Sequence, residues 1–460
     1  MFMSETAHSI DRGWLKSRLS RHLPEMLRLS VPAMTSRIGV MLLAFVDTMM
    51  VGRYSSLELA YLGAANGTVV VLILVVAMGL LMGVMISTAN AYGRGDWAEC
   101  GRVWRRNLTY SAAIGGLALV MCLPGELWLT LLNQPDDVAR EGGRLIWILA
   151  LGVPAHLIYL NCAFFLEGVK RPQVAVVVML SANVLNAVLN YMLIYGAWGA
   201  PEMGAEGSAW TSTVVRWGFA LAGVAYIWFA PSLRRYQVRR PHGQRWIEWR
   251  AQRVLGYASA ISLGVEVGAF AALNVFAGWL GTGPLAAWQI VINIMSVIFM
   301  LAAGIGAATS VRVGIAHARA DHPDTALAGW LGLALCTVFM LAFGAVMNIM
   351  PGPLFTIYND DPALMPLAIP AIALAGYAMV FDGGQTVVSS ALRGLGETWW
   401  PTAIQAVAYI VFMIPLGYLL AIVFGRGTNG LVEAVILASI VSVGLQAWRF
   451  QWLTAPRRPA

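Results

Sequence analysis

The sequence predicts an all-α integral membrane protein with twelve transmembrane helices, arranged as two parallel six-helix repeats in a V-shaped bundle of two lobes. Three features predict this fold: the composition, the length of the apolar stretches and a weak internal repeat. Hydrophobic residues make up 59% of the 460 residues and charged residues 12%, whereas soluble domains average about 45–50% and about 25%. This composition excludes a disordered chain, a coiled coil and a nucleic-acid-binding module.

Apolar stretches long enough to cross a bilayer occur twelve times. A transmembrane helix needs about 20 mostly apolar residues to cross about 30 Å of hydrocarbon. The stretches do not alternate apolar and polar residues as the strands of an outer-membrane barrel do, so every span is expected to be helical. The predicted spans are 27–52, 62–90, 108–131, 145–167, 173–199, 207–230, 254–280, 285–311, 328–351, 364–392, 400–425 and 430–452.

The basic residues predict the orientation. Of the 30 Lys and Arg residues, 24 fall in the N-terminal segment, in the loops after even-numbered spans and in the C-terminal tail. Cytoplasmic loops are enriched in Lys and Arg, so both termini are expected in the cytoplasm, on the inner side of a bacterial-type plasma membrane. Residues 1–26 lack an apolar core and a cleavage site, so no signal peptide is expected. The net charge of +7 therefore indicates contact with lipid headgroups rather than with nucleic acid.

The chain repeats itself weakly in the same orientation. Three segments recur at offsets of 225 to 227 residues: 79–96 with 304–321, 166–168 with 392–394, and 189–191 with 416–418. An even number of spans in each half makes the repeats parallel, with a pseudo-two-fold axis along the membrane normal. The predicted units are a cytoplasmic segment 1–26, a first lobe 27–230, a cytoplasmic linker 231–253, a second lobe 254–454 and a cytoplasmic tail 455–460.

Three carboxylates lie deep in predicted spans: Asp47 in the first, Glu266 in the seventh and Asp382 in the tenth. A charge at the centre of a bilayer costs at least about 2.5–3.5 kcal/mol, so such residues are candidates for function. Glu266 and Asp382 both fall near mid-membrane, and facing carboxylates do not both ionise readily without a cation. The pair therefore predicts a site for Na⁺ or H⁺. The alternative is that each deep acid belongs to a buried ion pair, with Arg37 or Arg216 as its partner.

Asparagines in the fifth span form a second candidate site. Asn183, Asn186 and Asn190 are spaced i, i+3 and i+7, which puts all three on one helix face. The estimated depth of Asn190 matches that of Asp47, so the two are expected in one layer. The alternative is that the amides only hold helices together, which contributes about 0.6 kcal/mol each.

At this point the sequence resembles the multidrug and toxic compound extrusion (MATE) family, and in particular its NorM branch. The segments that carry the resemblance are V-D-T at 46–48 with Gly52, L-N at 189–190 before Gly196, and L-R-G-L-G-E-T at 392–398, together with Glu266 and Asp382 in their spans.

The resemblance implies a transporter that exports hydrophobic organic cations in exchange for Na⁺ or H⁺ by alternating access. It implies that Glu266 and Asp382 bind the coupling cation, Na⁺ in a sodium-coupled protein, and that Asp47 with Asn186 and Asn190 forms the polar site of the first lobe. No enzyme activity and no cofactor beyond the coupling ion are expected, and the protein is expected to work as a monomer among membrane lipids. Two separated polar sites leave room for a second coupling ion, which predicts electrogenic export of monocations.

Other classes of membrane protein share some of these features. A major-facilitator transporter also has twelve spans in two halves, but its basic motif after the second span does not match G-R-G-D-W at 93–97. A flippase for a lipid-linked intermediate usually has additional spans and stays an alternative, as does another two-lobe secondary transporter. An intramembrane enzyme would need a catalytic motif such as H-E-x-x-H, which the sequence lacks.

Overall fold

A computed structural model describes residues 12–66, 71–132, 134–240, 245–358 and 361–455. Within these ranges the chain forms helices and no strand. Ten helices are long and apolar enough to span a membrane, and two bent helix pairs, with bends of 57° and 41°, bring the number to up to twelve. The predicted all-α membrane fold is confirmed.

The first half contains ten α-helices that form six spans. They are α1 Arg12–Tyr54, α2 Ser56–Ala65, α3 Val71–Leu81, α4 Gly83–Arg94, α5 Trp97–Cys122, α6 Gly125–Leu131, α7 Asp136–Leu151, α8 Val153–Gly168, α9 Gln173–Tyr195 and α10 Gly204–Phe229. The second span runs from α2 to α4, the third consists of α5 and α6, and the fourth consists of α7 and α8.

The second half contains α11 Arg250–Trp279, α12 Thr282–Ala318, α13 His322–Ile349, α14 Pro351–Thr356, α15 Met365–Gly394, α16 Trp399–Ala406, α17 Ile414–Tyr418 and α18 Gly427–Thr454. Between α16 and α18 the backbone is π-helical at Val407–Met413 and at Leu419–Val423. Short π-helical segments are often found at functional sites.

Two predicted boundaries differ from the structure. The helix of the first span already begins at Arg12, so the predicted break at residue 26 is wrong for the described residues 12–26. These polar residues stay helical because several of them find charged partners on the second half, as described below. The linker is helical in part, and α11 begins at Arg250 rather than 254. Residues 1–11 and 456–460 of the predicted terminal segments lie outside the described residues.

The halves meet near one end of the bundle. We call this end the basic face; it carries the start of α1 and the loops at 95–96, 169–172, 230–249, 319–321 and 395–398. There α1 packs against α12, and α3 and α4 pack against α11. The approach is close enough to need glycine: a Cβ atom on Gly83 would lie 2.2 Å from the Gln252 carbonyl oxygen, and one on Gly256 would lie 2.2 Å from that of Leu80. The bundle is therefore closed at the basic face.

Charged side chains also join the halves at the basic face. Glu25 of α1 contacts both Lys170, in the loop after α8, and Arg312 of α12. His22, one turn earlier, lies 3.2 Å from the Asp324 carboxylate of α13. These contacts link α1 of the first half to two helices of the second. We call the set the ionic belt; its members are Arg18, His22, Glu25, Lys170, Arg312, Asp321 and Asp324.

Candidate functional site

Asp47 lies at the centre of a polar cluster in the first half. Its Oδ1 accepts hydrogen bonds from the side-chain amides of Asn186 at 2.9 Å and Asn190 at 2.6 Å. Its Oδ2 accepts one from the Ser212 hydroxyl at 2.5 Å. Three helices, α1, α9 and α10, therefore converge on one carboxylate that is only 7% exposed. The structure brings together the three residues that the sequence placed in one layer, and adds Ser212.

The third asparagine of α9 has a different environment. The Asn183 amide donates to the backbone carbonyls of Gly39 at 3.0 Å and Met179 at 2.9 Å. It ties α9 to α1 without reaching Asp47. For Asn183 the helix-packing interpretation therefore describes the contacts that the structure shows.

Arg216 lies one helical turn after Ser212 on α10. Its Nη1 donates to the Leu149 carbonyl of α7 at 3.3 Å, and its charge attracts Asp47 through space. The side chain fills the space beside Gly152, where a Cβ atom would lie 2.9 Å from the Arg216 Cδ. A cation is thus held near the carboxylate without direct contact with it.

Glu266 lies near the middle of α11 and is bound to the eleventh span. Its Oε2 accepts a hydrogen bond from Nε2 of Gln405 at 2.9 Å. The Gln405 Oε1 in turn accepts from the Ser262 hydroxyl, which also accepts a bond from Nη2 of Arg393 at 2.8 Å. Arg393 is buried and attracts Glu266 through space. A guanidinium is therefore linked to the carboxylate through two neutral side chains.

Asp382 lies near the middle of α15 and is 2% exposed. Its Oδ1 accepts hydrogen bonds from the Tyr409 hydroxyl and from Nε2 of Gln385, both at 3.1 Å. The Ser442 hydroxyl of α18 donates to the Gln385 Oε1 at 2.7 Å, which fixes the amide. Because both bonds from Tyr409 and Gln385 reach Oδ1, they leave Oδ2 for another partner.

The two acids of the second half act on each other through a shared helix. Gln405 and Tyr409 stand one turn apart, where α16 passes into the π-helical segment, and each donates to a different acid. The charges of Glu266 and Asp382 repel each other through space. Within the described ranges, no three His, Cys, Asp or Glu side chains cluster in a way that would hold a metal ion. A cation here would need hydroxyl and amide oxygens besides the two carboxylates.

The buried ion pair that the sequence offered as an alternative forms elsewhere. Arg37 of α1 lies 3.6 Å from Glu167 of α8, and Glu167 is 7% exposed. Glu167 is a buried acid that sequence reasoning missed, because it stands at the last position of its predicted span and was placed at the interface.

Several neutral side chains of the two clusters were also missed. Sequence reasoning weighed only charges and one run of asparagines, whereas hydroxyls and glutamines complete both sites. One signal was present: Gln405 and Tyr409 are polar residues at i and i+4 in an otherwise apolar span. Arg393 was read only as part of a motif. The missed residues are Ser212, Ser262, Gln385, Arg393, Gln405 and Tyr409.

Comparisons with known proteins agree with this architecture. The MatE family profile matches residues 32–192 and again 258–419, so its two matches are offset by 226 residues, as the internal repeat is. The probable multidrug resistance protein NorM of Caulobacter vibrioides is 34% identical over 433 residues, covering 94% of this chain and 92% of that protein. The multidrug resistance protein NorM of Burkholderia vietnamiensis is 32% identical over 445 residues, covering 95% of each chain.

Solved structures show the same fold. The eukaryotic MATE transporter AtDTX14 superposes with a TM-score of 0.86 at 19% identity, covering 94% of this chain and 96% of that one. An outward-facing multidrug resistance MATE transporter of the MOP superfamily gives a TM-score of 0.85 at 17% identity, covering 94% and 95%. The profile matches, the relatives above 30% identity over nearly the whole chain and the shared fold lead to one assignment. The chain belongs to the MATE family of membrane transporters.

Proposed function

We propose that the protein exports hydrophobic organic cations across the inner membrane in exchange for Na⁺ or H⁺. Membership of the MATE family and the names of the NorM relatives support multidrug export. The observation that carries the ion coupling is the pair of carboxylates, Glu266 and Asp382, held near mid-membrane on two helices of the second half. Intramembrane acids are expensive to insert and commonly mark ion pathways.

Glu266 and Asp382 bind the coupling cation in this proposal. Both acids are fixed by neutral donors, so that each carboxylate is held without a direct salt bridge of its own. A single H⁺ or Na⁺ relieves the repulsion between them. Asp47, with Asn186 and Asn190, forms the polar site of the first half and takes part in the same cycle.

Alternating access follows from how the halves meet. The close contacts lie at the basic face, which the positive-inside rule places in the cytoplasm. In this orientation both termini are cytoplasmic and the structure is closed towards the cell interior. Export requires these contacts to separate, so that substrate enters, and to form again before substrate leaves outward.

Ion-driven dye transport in proteoliposomes tests the proposal. Purified protein is reconstituted with a fluorescent organic cation, and a Na⁺ gradient or a pH gradient is imposed separately. We expect one of the two gradients to drive accumulation of the dye against its own gradient. Accumulation that follows neither ion would overturn ion-coupled export, and transport of a fluorescent lipid in place of the dye would favour a flippase.

A further inference from the structure

The two polar clusters differ in their balance of fixed charge. Asp47 interacts with one cation of the protein, Arg216, and Arg216 with no other acid of comparable effect. Glu266 and Asp382 interact with one cation, Arg393. With all acids ionised and both arginines charged, the first-half cluster sums to zero and the second-half cluster to minus one.

We propose that Arg216 is the built-in counter-ion of Asp47, and that the protein therefore carries a single monovalent coupling ion per cycle, in the second half. The inference rests on the proposed function and defines its stoichiometry. It replaces the expectation of a second ion that the sequence alone suggested.

The contacts of Asp47 support this assignment independently of charge. Both of its oxygens already accept hydrogen bonds, two at Oδ1 from Asn186 and Asn190 and one at Oδ2 from Ser212. All three partners present hydrogen-bond donors to the carboxylate, whereas a metal cation needs oxygen lone pairs directed at it. The site is built to hold an anion.

Arg216 is placed to act on this site from a fixed position. It shares a helix face with Ser212, which donates to Asp47, because residues four apart lie on one face. Its Nη1 bond to the Leu149 carbonyl and its packing beside Gly152 anchor the guanidinium between α10 and α7. The guanidinium keeps its charge at any working pH, so the balance does not depend on proton uptake.

The second half has the opposite balance. Arg393 offsets one carboxylate of the pair through Ser262 and Gln405. The other carboxylate keeps an uncompensated charge in a buried place, which a cation entering from outside would neutralise. One H⁺ or one Na⁺ is sufficient, and a second cation would leave the cluster positive.

The consequence is electroneutral exchange of a monocationic substrate. One monovalent ion enters as one charge leaves, so the membrane potential does no work on the cycle. With two coupling ions, one net charge would move, and 100 mV would contribute about 2.3 kcal/mol, a change of about 50-fold in the accumulation ratio at about 1.4 kcal/mol per tenfold.

The test measures the end point of dye accumulation at a fixed ion gradient while the potential is clamped at 0 or 100 mV. We expect the wild type, with a monovalent dye, to give the same accumulation ratio at both potentials. R216Q leaves Asp47 without its counter-ion and is expected to become sensitive to potential, by up to about 50-fold. R216K, which keeps the charge, and the double variant D47N/R216Q, which removes both charges, are expected to stay insensitive.

A wild-type ratio that changes about 50-fold with 100 mV would overturn the single-ion assignment, even if the R216Q protein fails to fold. An R216Q variant that folds, transports and ignores the potential would overturn the role of Arg216. Failure of the proposed function is distinguishable, because the wild type would then accumulate no dye with either ion gradient.

Discussion

The side-chain amide of Gln405 donates a hydrogen bond of 2.9 Å to the Glu266 carboxylate, and so joins the eleventh span to the seventh. One turn further along, the Tyr409 hydroxyl reaches Asp382 on the tenth span. The eleventh span thus fixes the positions of both acids of the proposed ion site. A change of ion occupancy at either acid alters its bonds to that helix, which offers a route from ion binding to helix movement.

The Tyr409 hydroxyl is expected to matter for ion binding. Hydrogen bonds to charged groups contribute about 1.5–3 kcal/mol, so Y409F is expected to lower the apparent affinity for the coupling ion by about 10-fold or more. The concentration of ion that gives half-maximal dye transport measures this change. Y377F serves as the control, because Tyr377 stands on the same helix as Asp382 with 56% of its surface exposed. Equal ion dependence in Y409F and Y377F would contradict the role of the hydroxyl.

Asp47 is expected to be needed for transport although it carries no coupling ion. D47N leaves Arg216 as an unpaired charge and exchanges an acceptor of three donors for an amide. We expect a loss of most dye export, with smaller losses in N186A and N190A, which each remove one donor. T48A is a matched control, because the Thr48 hydroxyl bonds to Ala44 of its own helix. Wild-type export by a well-expressed D47N protein would exclude the first-half site from the cycle.

Closure of the basic face is expected to depend on Gly256. In G256A the added methyl group meets the Leu80 carbonyl, and overpacking of this kind typically costs about 1–3 kcal/mol. We expect the contact between α11 and α3 to open more often. A cysteine placed at the buried Ser259, in a background without the four native cysteines, reports this as faster labelling by a thiol reagent.

The control for this change is G278A, on the same helix, where the new methyl group has no heavy atom within 4 Å. Its labelling rate at position 259 is expected to match that of the parent. Slower or unchanged labelling in G256A would show that the close approach is not what limits opening.

The ionic belt is expected to favour the same closed state. R312Q removes the partner that Glu25 has on the second half, and a lost hydrogen bond of a charged group leaves a penalty of about 1–3 kcal/mol. We expect faster labelling at position 259 and a weaker effect at high salt, because the belt is partly exposed and salt screens such pairs. R319Q, at an exposed arginine just after α12, is the control. Identical labelling of the two variants at low salt would show that the belt does not hold the halves together.

Much of the fold was predictable from the sequence because the membrane imposes strong rules. Apolar length gives the spans, and the repeat gives the two halves. The start of the first helix was not predictable, because polar residues such as His22 and Glu25 look like a solvent-exposed tail until their partners on α12 and α13 are known. Contacts between distant segments are what a single sequence does not display.

The candidate site was predictable only in its acids and asparagines. The high cost of burying a carboxylate singles out Asp47, Glu266 and Asp382, and helical spacing aligns Asn186 with Asn190. Hydroxyl and amide donors such as Tyr409 and Gln405 cost less to bury, so they do not stand out among the many polar residues of a membrane bundle. The charge balance of each cluster depends on Arg216 and Arg393, whose positions become known only with the structure.

The most direct test of the account compares gradient-driven dye accumulation by the wild type with that by E266Q and D382N. A tenfold ion gradient supplies about 1.4 kcal/mol per ion, so one-for-one exchange is predicted to hold a dye ratio of about tenfold in the wild type. Each variant removes one carboxylate while keeping its volume, and is predicted to fold normally and to hold a ratio near one. E126Q, at an exposed acid near a helix end, is predicted to match the wild type. Tenfold accumulation by well-folded E266Q and D382N would contradict the assignment of the coupling ion to these two acids.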